Sequence, residues 1–146
     1  MTSFRFSLER VLHWRRVQLE LAENELQRRV AALEELDRER ADLEAAAIRT
    51  EVQVRKWSPL AGRDLAALAG FRAHVKNEER RLARRRAERQ QQVAAQQQVL
   101  LEARRRCRLL ERLRERRLAE WQRESDREIE QFAAESHLAA LVRRRG

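Results

Sequence analysis

Stepping by four and three residues in turn from Leu8 lands on Leu12, Arg15, Leu19, Ala22, Leu26, Arg29, Leu33, Leu36, Arg40, Leu43, Ala47, Thr50, Val54 and Trp57. Eleven of these fifteen positions are apolar, and the positions between them are mostly polar. An apolar row this narrow, repeating every 3.5 residues, predicts one long helix with a partner helix along its seam. Phe4 and Phe6 alternate ahead of it, as in an extended lead-in. Ser7 is placed to cap a helix starting at Leu8, with Glu9 near its positive end. Arg15, Arg29 and Arg40 interrupt the row; an arginine can lay its stem along a seam and keep its head in water.

The pattern stops near Trp57. Ser58-Pro59 does not continue a regular helix, and Gly62 follows. Asp64 is a good cap for a second helix. The second row begins Leu68, Phe71, Val75, Glu78, Leu82 and passes through Arg85, Arg89, Gln92 and Gln96 to Val99, Ala103, Leu110 and Leu113. A second phase uses Val93, Leu100 and Cys107, which implies a stutter. Beyond Leu118 and Trp121 the apolar positions thin to Ile129, Phe132, Leu138 and Leu141.

These patterns predict an all-α chain: a long antiparallel two-helix coiled coil, a helical hairpin, with an overhanging C-terminal helix. Residues 1–146 are expected to make a single coiled-coil rod. Helix one spans about 8–57, the turn 58–64, and helix two about 65–141. At 1.5 Å per residue the helices are roughly 75 and 115 Å long. Pairing about a turn near residues 60 and 61 makes partner numbers sum to about 121. Leu8 then lies by Leu113, Leu12 by Leu109 or Leu110, and Trp14 by Cys107, while Phe4 and Phe6 approach Leu118 and Trp121. The last 25 or so residues are left without an intramolecular partner.

Composition sharpens this. Charged residues make up 39% of the 146 and aromatics 5%, with three Gly and one Pro. Turn residues are too scarce for a compact multi-element fold, and the balance is that of long helices. A single cysteine, Cys107, excludes an intramolecular disulfide framework and a cysteine metal cluster. No secretory signal and no membrane span is expected, which points to the cytoplasm.

The charge lies in blocks. Residues 1–57 hold eleven basic and eleven acidic residues. From Arg80 to Arg117 fourteen Arg face four Glu, about +10, against +9 for the whole chain. Residues 118–135 hold two Arg and six acids, −4. Such blocks suggest contact surfaces of different sign. The Arg block permits phosphate contacts with nucleic acid. Arg80 and Arg81, however, stand where a basic-zipper helix carries small residues, so no specific nucleic acid is expected. Pairing arithmetic also sets the block against the acids of the first helix.

Motifs for catalysis are missing. The glycines are isolated, so there is no phosphate loop. His13, His74 and His137 lie far apart in sequence. Acidic pairs such as Glu34-Glu35 need a cleft to shift their titration, and a two-helix rod has none. No cofactor, metal or catalytic residue is expected, and the chain reads as non-enzymatic. Phe4, Phe6, Leu8, Val11, Leu12 and Trp14 suit a membrane surface, but packing on Leu109, Leu110, Leu113, Leu118 and Trp121 explains them better. Ile48, Val52, Trp57, Leu60, Phe71 and Val75 form a second cluster at the turn, for hairpin closure or for docking a partner.

The ordered combination of FRFSLERVLHWRR (residues 4 to 16), the Gly62 turn, Phe71-x3-Val75 and RLLERLRERRLAEWQRESDREIEQFA (residues 108 to 133) resembles the flagellar export protein FliJ family over nearly the whole chain. That resemblance implies a cytoplasmic stalk component of the flagellar type III protein export apparatus, an antiparallel two-helix rod similar to the gamma subunit of rotary ATPases. It implies as partners the hexameric export ATPase FliI, the export-gate protein FlhA and export chaperones, with peripheral membrane association at the cytoplasmic face of the inner membrane. In that setting Phe4, Phe6, Leu8, Leu12, Leu113, Leu118, Trp121, Ile129 and Phe132 are the expected ATPase-binding residues. Phe71, Val75 and Leu82 are those expected to face the gate. The chain is then a monomer in isolation. The alternatives are a stalk of a related injectisome, a basic coiled-coil nucleic-acid-binding protein, or a self-associating scaffold.

Overall fold

The structure is a computed structural model, which describes residues 2–57 and 61–146. Two helices account for nearly all of them, α1 (Glu9–Arg55) and α2 (Gly62–Arg145). There is no strand among the described residues.

Both helix starts differ from expectation, for reasons visible in their hydrogen bonds. The carbonyl of Leu8 accepts the first helical bond of α1, from Leu12 N–H at 2.9 Å. Leu8 therefore holds the capping position, and Ser7 sits in the preceding turn, which Glu9 N–H closes onto Phe6 O at 3.2 Å. In α2 the carbonyl of Ala61 accepts from both Asp64 and Leu65 N–H. Asp64 thus lies inside the first turn, not ahead of it. Its Oδ2 accepts from Ala61 N–H at 3.2 Å, the reach-back half of a capping box. The helix gains three residues at this end. At the other it continues to Arg145 rather than Leu141.

α1 ends at Arg55, short of Trp57. Lys56 and Trp57 N–H fold onto the carbonyls of Gln53 and Val54 in a tighter i to i+3 turn. Ser58, Pro59 and Leu60, where the turn was expected, lie outside the described residues.

The described residues divide into two compact units. One combines Met1–Glu20 with Glu102–Gly146, and the other is Leu21–Leu101.

In the unit Leu21–Leu101, the α1 row is as the periodicity predicts. Ala22, Leu36 and Val54 are buried, and Leu26, Arg29, Leu33, Leu43, Ala47 and Thr50 half-buried; Arg40 is exposed, as is Trp57 beyond the end of the helix. On α2, Leu68, Phe71, Val75, Glu78 and Leu82 turn inward. After Leu82 the inward positions are Arg86, Val93, Gln96 and Leu100, while Arg85, Arg89, Gln92 and Val99 face out. The second of the two predicted phases is the packed one. Leu82 and Val93 are eleven residues apart, a heptad plus four, which is a stutter. Gln96 is 6% exposed, and its Nε2 donates to Ala22 O at 3.1 Å. Nearby, a terminal guanidinium nitrogen of Arg29 donates to Gln92 O at 2.9 Å, and its Nε to Glu25 at 3.1 Å.

Arg72 grips Glu51 through two bonds of 2.6 and 2.9 Å. The same bonds hold the Glu51 carboxyl below its ordinary range. Arg86 pairs with Asp37 at 2.6 Å and Arg85 with Glu39 at 3.6 Å. Exposed pairs of this kind each contribute little, because water and salt screen them.

In the unit made by the chain ends, Leu12 is 0% exposed, and it shares a core with Phe6 and Cys107. Phe4, Leu19, Leu110 and Leu113 pack against them.

Candidate partner-binding surfaces

The two aromatics of the lead-in hold different positions. Phe6 is buried with Leu12 and Cys107. Phe4 meets Trp121, ring centroids 6.0 Å apart and tilted by 54°. The guanidinium of Arg114 lies 5.7 Å from the Phe4 ring centre, and its Nε donates to Glu9 at 3.0 Å. Arg114 therefore fastens the lead-in and the first turn of α1 at once. Its signal was weak in the sequence, where it is one arginine among fourteen. Arg16 and Glu111 add a pair at 3.5 Å. Between lead-in and α2 runs an open groove of about 830 Å³, lined by Phe4, Phe6, Arg117, Glu120, Trp121 and Glu124 among others.

Burial pushes the Cys107 thiol up, and the charge of Glu111 adds to this while Arg16 opposes it. A buried thiol held in its protonated form is inert. Cys107 is a packing residue at the centre of the core, as its place in the second phase predicts.

Of the expected ATPase-binding residues, Phe4, Phe6, Leu12 and Leu113 gather at this core, and Trp121 joins through Phe4. Leu118 is half-buried and Leu8 exposed. Of the two alternatives expected beside Leu12, Leu110 packs at the core and Leu109 is exposed; Trp14, expected by Cys107, is exposed as well and lies under the Arg15 guanidinium at 4.6 Å. Ile129 and Phe132 lie on a stretch of α2 where every residue from Asp126 on is exposed, Phe132 at 72%. At 100° per residue they share a face with Trp121. Leu138, Leu141 and Val142, also exposed, lie about 100°, 160° and 60° round from Trp121 on its other side. The apolar positions of the terminal stretch thus spread round the helix and make no single stripe.

Phe71, Val75 and Leu82, expected to face a gate, are half-buried or buried within the unit Leu21–Leu101. Among the described residues no group of three His, Cys, Asp or Glu side chains is placed to hold a metal ion. No helix among them is long and apolar enough to cross a membrane. Comparison with protein-family models, curated proteins and solved structures gives no match to this chain.

Proposed function

We propose that this chain is a non-enzymatic stalk of a type III protein export apparatus, of the FliJ kind. It is an antiparallel two-helix coiled coil that binds a hexameric export ATPase and couples it to the export gate and chaperones at the cytoplasmic face of the inner membrane. It is a monomer until it meets that ring.

One observation carries the reading. α2 continues as helix past the point where Phe4 meets Trp121, with Ile129 and Phe132 on the face that Trp121 uses and no cover over them among the described residues. A helix that keeps an apolar face beyond its own packing suits insertion into another protein. The antiparallel hairpin has support in the contacts. From Glu51–Arg72 through Asp37–Arg86 to Arg29–Gln92, partners move apart in number on both sides, and Glu9–Arg114 does the same within its unit.

The decisive experiment measures ATP hydrolysis by the candidate ring ATPase with and without the full chain. Stimulation that saturates with added chain is expected. A ring indifferent to an excess of chain would falsify the stalk reading. Partners from a flagellar and from an injectisome system, tested side by side, separate those two assignments.

A further inference from the structure

Within the chain-end unit, α2 carries Arg105, Arg108, Arg112 and Arg116, all exposed. Their spacing of three, four and four places them within an arc of about 80°. Cys107 and Leu110, which face the core, point nearly the other way. Among the described residues none of the four guanidinium groups shares in ion pairs such as those of Arg16, Arg106 and Arg114. Glu111 is drawn off to Arg16 and Glu102 to Arg106, while Glu115 and Glu120 border the arc on its two sides. The result is a straight row of four arginines about 16 Å long, more positive than its two bordering carboxylates can offset, with exposed Leu109 beside it.

We infer that this row is a docking strip for the phosphate backbone of nucleic acid, bound without sequence preference. Three partners have the required negative charge. An anionic membrane needs an apolar face to enter the headgroup region, and among the described residues of this unit the row is flanked by a single exposed apolar side chain, Leu109. An acidic protein surface gains little from exposed Arg–carboxylate pairs, which solvent and salt screen. A polyphosphate differs, because each neutralised phosphate releases condensed counterions and guanidinium binds phosphate through paired hydrogen bonds. The inference is independent of the stalk reading, and either can fail alone.

The test uses the full chain and a labelled duplex of about twenty base pairs, with affinity measured by anisotropy across salt concentrations up to about 150 mM. Saturable binding that survives at the upper salt is expected. The variant Arg105→Gln/Arg108→Gln/Arg112→Gln/Arg116→Gln should lose at least about tenfold in affinity. Its slope of log K against log salt should shrink by roughly 3 to 4. A control losing the same charge elsewhere, Arg80→Gln/Arg143→Gln/Arg144→Gln/Arg145→Gln, should lose far less. Arg112→Glu alone should act in the same direction with the least burden on the fold. Equal losses in row and control variants overturn the proposal. So does row-dependent binding of anionic phospholipid vesicles or polyglutamate at about 150 mM salt where the duplex does not bind.

Discussion

Among the described residues Leu12 is the one large side chain that is completely buried, and its surroundings come from three sources: the lead-in through Phe6, α1 through Leu19, and α2 through Cys107 and Leu110. Truncation there removes contacts on every side. Leu12→Ala should destabilise the chain by about 2–5 kcal/mol, read as a lowered urea midpoint, whereas the same truncation at exposed Leu8 should move that midpoint far less. Glu51 offers a test with a sign. Its carboxyl is held low first by its hydrogen bond to Arg72 and then by charge. A carboxylate depressed in the folded state stabilises above its unfolded pKa, and that stability is lost as pH falls through the folded value. Glu51→Gln should therefore lower the melting temperature at neutral pH. Its gap from the parent should close as the solution is acidified below the ordinary carboxylate range. A gap that persists in acid would show that the pair contributes through packing instead.

At the scale of the element, α1 was readable from its row alone. Positions Leu12 to Val54 turn inward with one exception, because a single uninterrupted repeat leaves no second way to orient the helix. α2 was readable only as two alternatives. Between Leu82 and Val93 its residues are polar in either phase, so hydrophobicity could not choose. Gln96 occupies the row in both phases and could not arbitrate. The choice falls to Leu100 and Cys107 downstream, which are buried at 6% and 3% while Val99 is exposed. Helix ends were the least legible, since Asp64 suits a position ahead of a helix as well as one inside its first turn. Buried Gln96 sits where an apolar residue would pack better, and its bond to Ala22 O fits one alignment. Such polar seam residues specify register at a cost in stability. Gln96→Leu should thus raise the urea midpoint while loosening alignment. The yield of a disulfide between cysteines placed at Asp37 and Arg86 should fall in that background. An unchanged yield would mean that the ion pairs fix the register without Gln96.

For the whole molecule, the stalk reading gives the chain's end a task separate from its fold. Removing residues 122–146 takes away only exposed positions apart from half-buried Ser125. The remaining chain should keep its helical circular dichroism and its melting temperature within a few degrees. Stimulation of the ring ATPase should disappear. Full stimulation by the shortened chain would place ring contact elsewhere. The terminal aromatic cluster was legible as a grouping of Phe4, Phe6, Leu12, Leu113 and Trp121. Its partner was not, because an apolar helical face such as that of Ile129 and Phe132 carries no feature particular to one complementary surface.

The core around Leu12 also sets a timetable. The sequence distance bridged by a contact is 21 residues for Glu51 and Arg72 but 105 for Glu9 and Arg114. On a ribosome adding about 5–20 residues per second, Phe6 and Leu12 emerge roughly 5–20 s before Cys107 and Leu110 exist. During that interval the first helix has no permanent cover for its most apolar turn. The chain seals its beginning only when about three-quarters of its residues have been made.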